Sequence, residues 1–256
     1  MIPAENISCE PLGTDADGIL RYAIHSPYQA APTTLRVMAP PGQTPRQQVF
    51  FLPVQPGETG QWGDPFQVVQ SGSLHTRHQI LAICPSFSDW PWYADHPTDR
   101  GLRQESHFLQ GILPLVDQLY PVDQPIRILL GFSKSGYGAF SLLLRHPVLF
   151  ACAGAWDAPL MKSKPDQFEM PQIFGTQPNF ERYRFSNLLG ENGLQFKDSP
   201  RLVLAGYDNF KDHVETAHRL LLDEQVPHIY RNDVRHPHRW EGGWLEWLLS
   251  ELLKLI

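Results

Sequence analysis

From residue 48 onward the chain alternates short apolar runs with helical stretches, and this alternation limits the possible folds more than any other feature. The runs are QVFFLPV (48–54), ILAICP (80–85), IRILLGF (126–132), FACAGAWD (150–157), RLVLAGY (201–207) and HIYRND (228–233). Strands that are apolar throughout, joined by helical crossovers, build a mainly parallel sheet buried on both faces. The helical patterns fall at 103–120, where Pro114 should kink the helix, and at 137–147, 210–225 and 239–256. Upstream, ILRYAIHS (19–26) and TTLRVMAP (33–40), separated by Pro27 and Pro32, read as an antiparallel pair at the sheet edge. The expected fold class is therefore α/β: a mainly parallel twisted sheet, helices on both faces, and an antiparallel N-terminal edge. With 256 residues and 42% hydrophobic content, one domain is expected. The stretches 55–65, 86–100 and 158–200 exceed minimal connections, and 158–200 is expected to be a cap-like insertion.

The third run leads into GFSKSGYGA, which places Ser133 between a strand and a helix with small residues around it. In a G-x-S-x-G turn the small neighbours let the serine take a strained conformation with its hydroxyl exposed at the strand end. Here Ser135 stands where the last glycine belongs, followed by Gly136 and Gly138. A serine hydroxyl needs a base to act as a nucleophile at neutral pH. Ser135 itself reads as a helix cap. A phosphate-binding loop is excluded because Tyr137 occupies the position of the required lysine.

The base is sought in DVRHPHRW, where His238 is preferred over His236. An H-x-H pair could also ligate a metal, but a third ligand is not evident in the sequence. The carboxylate that fixes the histidine should follow the serine and precede the histidine in the chain. Asp208 after RLVLAGY is the first choice, with Asp157 after FACAGAW and Asp212 as rivals. The backbone N–H of Lys134 supplies one oxyanion donor, and an N–H near Val54 or Gln55 the other. The Lys134 side chain is expected to reach solvent or a carboxylate, Glu105 being the candidate.

Together, GFSKSGYGAFSLLLRHP, GYDNFKDHVETAHRLL and HPHRWEGGWLEWL resemble the α/β-hydrolase superfamily, closest to its bacterial putative-esterase branch, which includes feruloyl-esterase-like and mycolyltransferase-like enzymes. The likeness spans residues 48–256. It implies the α/β-hydrolase fold and cleavage of a carboxylic ester through an acyl-enzyme, with no metal or organic cofactor. Gly206-Tyr207-Asp208 looks like a short form of the family's acid-bearing loop, and Trp240 shortly after His238 also fits. The implied triad is Ser133, His238 and Asp208. An acyltransferase and a non-catalytic binding module on the same scaffold are the alternatives.

Substrate contacts are expected from Trp90, Trp92 and Tyr93, with Trp156 and Phe168 as possible additions; these aromatics could equally fill a satellite core. The formal charge of −6 and a scatter of basic residues argue against nucleic acid as a partner. Three cysteines without metal spacing, no signal-like N-terminus and no membrane-length apolar run suggest a reduced, cytoplasmic setting and no membrane partner. A small-molecule ester is the expected partner, and oligomeric state is left open.

Overall fold

A computed structural model describes residues 6–42, 44–58 and 60–256. Among the described residues nine strands form one sheet: β1 (Ser8–Thr14), β2 (Leu20–His25), β3 (Thr33–Met38), β4 (Gln47–Phe51), β5 (Leu81–Pro85), β6 (Ile126–Phe132), β7 (Cys152–Trp156), β8 (Leu202–Ala205) and β9 (His228–Arg231). Their spatial order is β1-β2-β3-β5-β4-β6-β7-β8-β9. The pairs β1–β2, β2–β3 and β3–β5 are antiparallel, and every pair from β5–β4 to β8–β9 is parallel. The apolar runs therefore became the parallel core. The sequence pattern did not reveal β1, because Pro11 and Gly13 break the alternation and shift its register.

Alternate side chains on each central strand feed two separate cores. Phe50 and Leu52 point to one face, Val49 and Phe51 to the other. The short helices α1 (Pro65–Ser71) and α2 (Leu74–Arg77), between β4 and β5, cover the second face. The first face takes α3 (Gln104–Ser106), α4 (Leu113–Leu119) and α5 (Ser133–Arg145). The stretch 158–200 contains α6 (Met170–Phe174), α7 (Gln177–Glu181) and α8 (Phe185–Asn192). Phe185, Leu188 and Leu189 of α8 join the same cluster as α5, so that part of the stretch adds to the first helix layer. Finally, α9 (Lys211–Asp223) lies on the first face and α10 (Trp244–Leu253) on the second. Among the described residues, no helix is long and apolar enough to cross a membrane.

The expected kink at Pro114 takes a specific form. Proline carries no N–H for the carbonyl four residues back, and its ring crowds that group. The chain accommodates both by widening into a π-helical turn over His107–Ile112, directly before α4. This places His107 in the core at 0% exposure, where its Nε2 meets Thr33 Oγ1 at 3.3 Å.

Burial pushes the pKa of the His107 imidazole down to about 3. An unfolded histidine titrates near about 6.5, so between these values the unfolded chain holds a proton that the folded chain does not. This contribution to stability is complete above pH ~6.5 and falls by roughly 1.4 kcal/mol per pH unit as the medium becomes more acid. Urea melts from pH 7 to pH 4 should show this slope, and His107→Gln, which keeps a neutral polar group, should flatten it. Equal slopes in the two proteins would contradict the assignment.

Candidate active site

The site begins at the junction of β6 and α5. Ser133 has φ of 50°, a left-handed conformation unusual for a residue with a side chain, and it opens the helix. The tightness of the turn explains its glycines. A Cβ on Gly131 would sit 2.5 Å from the Ser135 backbone, and one on Gly136 would sit 2.9 Å from Ala158 Cβ. Ser135, where the motif would have glycine, is fully buried; its Oγ donates to the Phe132 carbonyl at 2.9 Å and accepts the Phe132 N–H at 3.0 Å. Its hydroxyl is thus committed to capping. Ser133 Oγ has no hydrogen-bond partner among the described residues and is left partly exposed at the strand end.

His238 Nδ1 lies 3.1 Å from Asp157 Oδ2, and the carboxylate is only 1% exposed. The imidazole is held edge-on by Phe132, the residue before Ser133, at 5.1 Å between ring centroids, and by Trp62 at 5.5 Å. Asp208, the first choice from the sequence, is an exposed residue paired with Arg235 at 2.6 Å. Asp212 is exposed in the first turn of α9. The reason for the exchange is local backbone geometry. Asp157 follows β7, the strand beside β6, and takes a left-handed φ of 47° while its N–H bonds the Ala205 carbonyl at 3.1 Å. Gly206 has φ of 151°, and a Cβ there would come within 2.9 Å of Asp157 Oδ1. Gly206 thus makes room for the Asp157 carboxylate, and the chain carries Asp208 on to the surface.

The His236 ring packs edge-on against Trp244, at 4.7 Å between centroids. The two histidines of the H-x-H pair therefore meet different partners, and among the described residues no group of three or more His, Cys, Asp or Glu side chains could hold a metal ion.

The loop after β4 carries Val54 and Gln55, where the second donor is expected. The N–H groups of Val54 and Gln55 have no partner among the described residues. Tyr93 Oη donates to the Pro53 carbonyl at 2.6 Å, which fixes the start of the loop. Its far end is anchored by a buried pair: Arg36, 1% exposed on β3, donates to Asp64 at 2.6 and 3.0 Å. Asp64 in turn caps α1 through the Phe66 N–H at 2.9 Å and donates its own N–H to Glu241 at 2.8 Å. Trp240 N–H reaches the Trp62 carbonyl at 3.0 Å, so the loop after β4 and the His238 loop are tied together twice.

The three aromatics expected at the substrate divide. Trp92 and Tyr93 are fully buried, the first donating Nε1–H to the Phe168 carbonyl at 2.8 Å, the second packed where Gly138 leaves space. They belong to the core over the sheet, as large apolar rings with satisfied polar tips do. Trp90 is partly exposed and carries the Lys134 ammonium 4.0 Å above its ring. Lys134 pairs with Glu169 at 2.5 Å. Glu105, its expected partner, instead accepts from Arg145, His146 and Tyr183. Sequence reasoning did not single out Glu169, Trp62 or Phe210, which approaches the His238 ring at 6.3 Å; no motif marks them.

The family described as "Putative esterase" matches residues 84–184. No curated protein matches the chain. Among solved structures, an S-formylglutathione hydrolase from Agrobacterium tumefaciens is similar with a TM-score of 0.76 at 13% identity, over 96% of this chain and 99% of that one. A ferulic acid esterase gives 0.67 at 16% identity, over 97% and 96%. A substrate-bound, fluorophosphonate-binding serine hydrolase from Staphylococcus aureus gives 0.73 at 16% identity, over 92% and 98%. The chain shares its fold with these hydrolases over nearly its whole length.

Gly206→Ala should force a side chain into a disfavoured backbone region and against Asp157. A strained residue of this kind costs about 1–3 kcal/mol. For a chain of this size each kcal/mol lowers the melting temperature by roughly 2–4 °C, which scanning calorimetry would detect. An unchanged melting point would mean that the carboxylate does not depend on this glycine.

Proposed function

We propose that the protein hydrolyses carboxylic esters through an acyl-enzyme, with Ser133 as nucleophile, His238 as general base and acid, and Asp157 as the orienting carboxylate. The observation that carries this reading is the buried Asp157–His238 contact of 3.1 Å beside a serine in a left-handed turn. Asp157 holds the imidazole tautomer with its proton on Nδ1 and stabilises the imidazolium as it forms. Ser133 Oγ attacks the ester carbonyl carbon while His238 Nε2 takes the hydroxyl proton. The carbonyl electron pair moves onto oxygen, where the N–H groups of Lys134 and Gln55 stabilise the charge. When the intermediate collapses, the bond to the alkoxy oxygen breaks and His238 returns the proton to the leaving alcohol. Water then repeats the sequence on the acyl-serine and releases the acid. The hydrogen bond from Ser133 Oγ to His238 Nε2 would form as substrate binds, as catalytic hydrogen bonds do in many enzymes.

A fluorophosphonate should label the wild type at Ser133, located by peptide mass spectrometry, and should not label Ser133→Ala. With a p-nitrophenyl ester, Asp157→Asn should lower kcat by about 10⁴-fold on the triad precedent. Asp208→Asn should remain at least roughly a hundredfold more active than Asp157→Asn. The reverse order would return the acid to Asp208, and labelling that survives Ser133→Ala would place the nucleophile elsewhere.

A further inference from the structure

The residue after the proposed nucleophile is a lysine, and its side chain is not free. Lys134 is only 13% exposed along its side chain, and its ammonium has two fixed partners from different parts of the chain. Glu169, in the stretch before α6, accepts from it at 2.5 Å. Trp90, in the loop after β5, lies under it at 4.0 Å between nitrogen and ring centroid. Burial pushes the pKa of the ammonium below its ordinary value, and Glu169 only partly offsets this. A desolvated cation of this kind is held by its partners and does not swing out at random.

The anchoring is reinforced from behind. Phe168 and Glu169 are consecutive left-handed residues, with φ of 57° and 63°, and the Phe168 carbonyl is fixed by Trp92 Nε1–H at 2.8 Å. Asp89, next to Trp90, accepts from Gln172 of α6 at 2.6 Å. The loop after β5 and the segment carrying Glu169 are therefore joined across Lys134, one residue from Ser133.

We propose that Lys134, clamped between Glu169 and Trp90, is a specificity-determining residue that restricts the esterase to short acyl groups. The inference rests on Ser133 being the nucleophile. Because the Lys134 N–H faces the ester oxygen in that mechanism, the Lys134 side chain leaves the backbone beside the acyl carbon. A four-carbon stem pinned at its tip is then a wall, and a longer or aromatic acyl chain must displace an ion pair and a cation–π contact to enter. The class of substrate is an ester with a short aliphatic acyl group, the alcohol being left open.

The test is hydrolysis of p-nitrophenyl acetate, butyrate, hexanoate and cinnamate by the wild type, Lys134→Ala, Glu169→Ala and Lys134→Arg, with fluorophosphonate labelling of each. In the wild type kcat/KM should fall by at least about tenfold from acetate to hexanoate, the scale that one or two misfitting methylenes produce. Lys134→Ala and Glu169→Ala should each reduce this ratio by roughly tenfold, while Lys134→Arg keeps it. A change in the ratio marks a pocket effect, since general loss of stability scales all esters alike. Wild-type preference for hexanoate or cinnamate overturns the proposal, as do variants that change all four rates by one factor. Labelled wild type with either of these results refutes the acyl limit alone. Wild type that is neither labelled nor active refutes the esterase mechanism and the limit together.

Discussion

The arrangement depends on one backbone conformation, the left-handed turn of Ser133 between β6 and α5. A strand that runs directly into a helix must reverse its backbone within one residue, and the first residue of the helix bears the strain. Around it the chain leaves side-chain space only where none is needed: Gly131 lies against the Ser135 backbone, and Gly136 against Ala158. Ser135 secures the turn with two hydrogen bonds to Phe132. Strain of this kind persists only where the surroundings over-determine it, and the two cores on either side of β6 provide that support.

The remaining parts of the site are brought to the same sheet edge by loops that brace one another. Arg36 and Asp64 anchor the loop after β4 from inside the sheet. Removing either partner would leave a buried charge unpaired, which is far more costly than losing a surface pair. Glu241 and Trp240 connect that loop to the segment bearing His238. The imidazole is therefore positioned by Asp157, by two aromatic rings and by a shared backbone frame.

Much of this could be read from the chain. The parallel core, the antiparallel edge, the strand-to-helix turn that carries Ser133 and the capping role of Ser135 follow from local patterns, as does the proposal of His238, a histidine after the last strand. What could not be read depended on non-local geometry. Asp157 and Asp208 both follow apolar strands, and only the left-handed turn at Asp157 and the space left by Gly206 separate their fates. Trp92 and Tyr93 lie in a loop whose sequence does not reveal how deeply it packs; the cavity left by Gly138 draws Tyr93 inward. The short helices α1 and α2 carry too few residues for a periodic pattern, and β1 is masked by its proline and glycine.

The exposed Asp208–Arg235 pair has an implication for how this sheet edge can diversify. With the histidine's carboxylate contact located just after the strand adjoining that of the serine, the turn that follows β8 meets the imidazole through the Phe210 ring at 6.3 Å. Between Gly206 and Phe210 the charge of this turn can drift, or be rebuilt by an engineer, while the Asp157–His238 contact is kept one strand away.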